Sequence, residues 1–119
     1  MRNLVRLSTA ILLLALSASA AVAHAFLDHA SPLVGSTVTA VPSEVRMWFT
    51  QALEPQFSAA QLRSSGGAVV GSGGVDTADP KQMVIRVYGL APGRYTVRWK
   101  VLSVDTHRTE GSFSFEVKP

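Results

Sequence analysis

From Tyr95 to Val117 the side chains alternate in polarity with a period of two. Tyr95, Val97, Trp99 and Val101 are separated by Thr96, Arg98 and Lys100, and Phe113, Phe115 and Val117 are separated by Ser114 and Glu116. Successive side chains of a strand point to opposite faces, so the pattern dictates strands with one face on a core and one in water. Two such runs joined by a polar connection read as antiparallel neighbours. Within that connection lies Asp105-Thr106-His107, a carboxylate and an imidazole two residues apart. On an extended backbone both side chains would point the same way. They would form half of a metal site that needs further ligands from elsewhere.

The rest of the chain is consistent with this beginning. Residues 24–30 read as an edge strand, and Ser31-Pro32 as a turn. The small, polar stretch from Ser36 to Pro42 reads as a loop. Val45, Met47 and Phe49 alternate with Arg46, Trp48 and Thr50 to give a second strand. Phe57 to Arg63 and Ala68 to Val70 give weaker ones, the latter followed by Gly71-Ser72-Gly73-Gly74, which predicts a loop. Met83, Ile85 and Val87 mark another strand, and Leu90-Ala91-Pro92-Gly93 a turn with Pro before Gly. Beyond the first 23 residues no sustained 3.6-residue period occurs. Six or seven short strands with turn signals between them predict a single all-β domain, a sandwich or small barrel.

Met1 to Ala23 has the parts of a secretory signal peptide: Arg2 and Arg6, an apolar stretch around Ile11–Leu16, and a small-x-small site at Ala21-Val22-Ala23. The apolar run is shorter than the roughly 20 residues that span a bilayer. Removal of 23 residues leaves 96 of the 119, residues 24–119, enough for one modest core. The chain carries 11 Lys and Arg against 8 Asp and Glu. The leader holds two of the cations and no acid, so the remainder is close to neutral at +1. That argues against a nucleic-acid partner. With no Cys in the sequence, thiolate catalysis, iron–sulfur clusters and blue-copper sites are all excluded.

Cleavage after Ala23 would make His24 the first residue, offering an α-amine and an imidazole that close a chelate ring on a metal. Ala23-His24-Ala25 is also small-x-small, so cleavage before Phe26 is the alternative. His29 would face away from His24 in a common strand and reads as exposed, with a ligand role as the second choice. Asp28 would share His24's side and is a candidate for holding a His ring by hydrogen bond. Met47 and Met83 fall in the inward phase of their strands and read as core, although thioethers are soft copper ligands. Trp99 reads as an inward anchor and Trp48 as outward.

With His24 at one end and Asp105-Thr106-His107 near the other, the sequence resembles the CopC family of exported bacterial copper-binding proteins. Ser31-Pro32, Met47-Trp48-Phe49, the run from Asp79 to Ile85, Leu90 to Trp99, and Gly111 to Phe115 carry the likeness in this order and spacing. The resemblance implies a seven-stranded Greek-key β-sandwich, cupredoxin-like or Ig-like. It also implies a periplasmic location and one Cu(II) held by His24, Asp105 and His107. A Cu(I) site is doubtful, because residues 62–71, where some relatives carry a Met-rich loop, contain neither Met nor His. Arg108 stands where the family often has Pro. The implied role is a monomeric, non-enzymatic copper carrier or buffer, handing copper to a separate membrane protein such as CopD. The alternatives are a copper monooxygenase using the same histidine brace, and an Ig-like interaction domain without metal.

Overall fold

The computed structural model describes residues 25–119; the leader read at 1–23 and the candidate ligand His24 lie outside these. Eight strands form: β1 (Leu27–Ser31), β2 (Thr37–Val38), β3 (Glu44–Phe49), β4 (Ala59–Ser64), β5 (Val69–Val75), β6 (Gln82–Arg86), β7 (Gly93–Leu102) and β8 (Arg108–Val117). Their hydrogen-bonded order is β1-β3-β6-β5-β4-β7-β8-β2. All pairings are antiparallel except β2 with β8. The crossovers that bring β3 beside β6 and β4 beside β7 are of Greek-key kind.

The sheet curls back on itself. Phe49 of β3 and Trp99 of β7 are not sheet neighbours, yet their rings meet edge to face at 5.2 Å between centroids. The inward residues of both halves form one core cluster, including Val45, Met47, Leu62, Ile85, Val97 and Phe115. Along β3 and β7 burial alternates as the polarity does: Val45, Met47 and Phe49 are buried and Arg46 and Trp48 only partly so. Met47 and Met83 are wholly inaccessible, as their inward phase predicted. Tyr95 stacks on Phe115 and donates its Oη hydrogen to the Ala91 carbonyl at 2.5 Å, pinning the turn before β7 in the manner of a tyrosine corner.

Three expectations are corrected. Ser36 to Pro42 is not all loop: Thr37 and Val38 add the parallel edge strand β2, whose few residues carry too little pattern to be seen, and this makes the strand count eight rather than seven. Gly71-Ser72-Gly73-Gly74 is strand, not loop, lying within β5. Here β5 passes between the two halves of the sheet, paired with β4 on one side and β6 on the other. A Cβ on Gly73 would stand 1.9 Å from the Val84 carbonyl oxygen, so glycine serves close backbone approach at this fold in the sheet. Finally, residues 105–107 are not extended. Thr106 has φ 71°, in the left-handed region that β-branched residues seldom enter.

Candidate metal centre

The end of β7 and the start of β8 are joined by a turn that Ser103 organises. Ser103 is wholly buried. Its backbone N–H donates to the His107 carbonyl at 2.9 Å, and its own carbonyl accepts from Thr106 N–H at 2.9 Å. Its hydroxyl contacts the His107 carbonyl at 3.2 Å, accepts from the His107 N–H at 3.3 Å, and donates to Asp105 Oδ1. A buried hydroxyl on this network fixes backbone and carboxylate together.

The left-handed Thr106 reverses the chain between the two side chains of interest. Asp105 Oδ2 and His107 Nδ1 consequently stand 3.2 Å apart, with both side chains a little under half exposed. The turn therefore brings the pair together by a route other than the extended one. Two donor atoms each about 2 Å from a first-row metal, in adjacent corners of a square, lie about 3 Å apart. The spacing fits two neighbouring positions of one coordination plane.

The β3–β4 connection buttresses this turn. Leu53 bridges to Ser103. The Glu54 N–H donates to the Leu102 carbonyl at 2.8 Å, and the Val104 N–H to the Ala52 carbonyl at 3.0 Å. In the amide orientation that satisfies both of its ends, Gln51 Nε2 donates to Asp105 Oδ2 and Oδ1 at 3.1 and 3.2 Å. The Ser103 hydroxyl above all, with the nearby His107 adding to it, holds the Asp105 carboxyl below the usual carboxylate range against the opposing effect of desolvation. Asp105 is therefore ready as an anionic ligand.

The start of the described chain is tied to the same end of the molecule. Ala25 is fully buried, and its carbonyl accepts from Thr109 Oγ1 at 2.7 Å, two residues beyond His107. Phe26 N–H donates to Thr50 Oγ1 at 3.0 Å, next to Gln51, and its carbonyl accepts from the Thr50 N–H at 2.9 Å.

Among the described residues no third His, Cys, Asp or Glu joins Asp105 and His107. His29, the second-choice ligand, is elsewhere on β1: its Nδ1 bonds Asp28 Oδ2 at 2.7 Å and its ring stacks on Trp48 at 4.4 Å. Asp28 thus holds a His ring, but that of His29. Sequence reasoning missed the supporting roles of Ser103, Gln51 and Thr109. A Ser two residues before an Asp is a local turn signal that could have marked Ser103; Gln51 and Thr109 act through long-range contacts that leave no local pattern.

Comparison with known proteins gives the family of the chain. Residues 27–118 match the family model described as the CopC domain. The chain is 34% identical to "Protein YobA" of Escherichia coli strain K12 over 95% of its length and 94% of the relative's. It is also 34% identical to "Copper resistance protein C" of Xanthomonas campestris pv. juglandis, covering 87% of each. The crystal structure of CopC from Methylosinus trichosporium OB3b superimposes with a TM-score of 0.75 at 34% identity, over 81% of this chain and 95% of that one. The chain belongs to the CopC family.

Proposed function

We propose that this protein is an exported copper carrier or buffer that holds one Cu(II) through the α-amine and imidazole of His24, the carboxylate of Asp105 and the imidazole of His107. The observation that carries the proposal is the convergence of Asp105 Oδ2 and His107 Nδ1, 3.2 Å apart, on a turn pinned by a buried serine. Two further points support it. Ala25, the residue that follows His24 in the chain, is hydrogen-bonded through its carbonyl to Thr109, two residues beyond His107. Three nitrogens and one oxygen also suit the tetragonal preference of Cu(II), which outcompetes other divalent first-row metals for such a set.

Cu(I) prefers sulfur ligands. Met47 and Met83 are both wholly inaccessible, so neither presents a thioether to a surface site. Reduction therefore weakens the hold, which suits a carrier that passes copper on. The named relative from Xanthomonas is a copper resistance protein, and the same role, in the periplasm and toward a separate membrane copper transporter, is the reading adopted for this chain. No helix among the described residues is long and apolar enough to cross a membrane.

Calorimetric titration of the processed protein with Cu(II) tests the assignment. One equivalent should bind tightly, and Asp105→Ala and His107→Ala should each weaken it by at least about tenfold. Unchanged affinity in both variants, with folding intact, would overturn it.

A further inference from the structure

On the outer face of β4, β7 and β8 lies a groove of about 560 Å³. Gln61 and Arg63 come from β4, Arg98 and Lys100 from β7, and Glu110 and Ser112 from β8. Lys100 and Glu110 also line a second recess of about 310 Å³, walled by Phe57 and Arg108. The two together run along the sheet to the residue that follows His107.

The groove's charge is out of proportion to the molecule's. Arg63, Arg98, Lys100 and Arg108 against Glu110 give it a net +3, whereas residues 24–119 carry nine cations and eight acids, or +1. The rest of the surface is therefore at −2. Among the described residues the ion pairs are made by His29, Arg46 and His107, and by none of these four cations. Lys100 faces Glu110 across the ladder without closing a pair. Arg63 donates from Nη2 to Gln61 Oε1 at 3.3 Å, but its Nε is buried with no hydrogen-bond partner. The site thus has positive charge that no ion pair uses, and a groove of this kind concentrates anionic partners.

The shape selects among anions. Arg98 and Lys100 are alternate residues of one strand, about 6.6 Å apart, the spacing of alternate side chains on any extended chain. Small side chains at Ala59 and Ser112 let another backbone come close. We propose that this groove binds an extended acidic segment of a partner protein, with carboxylates at alternate positions laid on Arg98 and Lys100. Such docking would set the partner's neighbouring residues against Phe57 and Arg108, beside Asp105 and His107. The proposal stands independently of the copper assignment.

The test is a nuclear magnetic resonance titration of the metal-free, ¹⁵N-labelled protein with the capped peptide Ser-Glu-Ser-Glu-Ser-Glu-Ser. The same sequence with Lys for Glu, and phosphatidylglycerol vesicles, serve as comparisons. Saturable shifts are expected at residues 59–63, 98–100 and 110–112 with the acidic peptide, and none with the basic one. The R98E/K100E double variant should weaken binding roughly tenfold, while R86E, on the other half of the sheet, should leave it unchanged. If the double reversal disturbs the spectrum of the free protein, R98Q/K100Q takes its place with the same expectation. Absence of peptide shifts, binding indifferent to the groove substitutions, or groove shifts with vesicles but not with peptide would each overturn the proposal.

Discussion

Ser103 shows how one buried hydroxyl sets two candidate ligands in a single frame. Its hydroxyl meets Asp105 Oδ1 and both backbone groups of His107, so it sets the carboxylate and the imidazole-bearing backbone in one frame. Groups that orient ligands in this way are commonly worth 10–100-fold in metal affinity. Ser103→Ala should accordingly weaken Cu(II) binding by about 10–100-fold while the fold survives, as read by competition against a chelator and by circular dichroism. Affinity within twofold of the parent would show that the turn holds itself. At this scale the sequence was informative about identity but not about geometry. Asp105 and His107 stood out as candidate ligands from their types and spacing. The turn that joins them was not, because a left-handed φ at a threonine contradicts local preference and is imposed by the surrounding hydrogen bonds.

The strands that alternate strictly show most plainly in the sequence, and the weaker readings at 24–30 and 57–63 also meet strands, β1 and β4. Along β7 from Tyr95 and along β8 from Phe113 every second residue enters the core, and the long ladder from Gly93 opposite Val117 to Leu102 opposite Arg108 fixes the register of the turn that carries Asp105 and His107. β5 was misread because its glycines look like a loop, whereas their role is clearance. At Gly73 an added methyl would meet the Val84 carbonyl oxygen at 1.9 Å and the Ile85 Cα at 2.8 Å, and backbone yields less readily than a side chain. Gly73→Ala should therefore destabilise the domain by about 3 kcal/mol, the upper part of the range for overpacking, as measured by urea unfolding. Gly74→Ala, with its nearest contact 3.8 Å away, serves as the comparison and should cost far less. Equal losses in the two variants would remove clearance as the reason for the glycine at 73.

For the molecule as a whole, acid should act in two separate stages. Metal binding needs its ligands deprotonated, so added acid competes directly with copper and copper should leave first. Asp105 is held below the usual carboxylate range by Ser103 and His107. Asp76 is likewise held low, first by the Ala78 backbone N–H and then by Arg46, whose Nη1 lies 2.5 Å from Asp76 Oδ2. A carboxyl with a depressed folded value contributes stability that is fully present above its unfolded value of about 3.9 and is lost as pH falls through the folded one. Fold stability should hold through copper release and decline only at lower pH, as followed by thermal unfolding of the metal-free protein. Coincident loss of copper and fold would contradict this order. Four donors from His24, Asp105 and His107 are proposed to hold one Cu(II). Electron paramagnetic resonance of a Cu(II) titration, on protein exported and processed by its own leader, tests it most directly. One equivalent with a tetragonal, nitrogen-rich spectrum is expected; a weak or heterogeneous signal from protein whose intact mass shows His24 as its first residue would overturn the assignment.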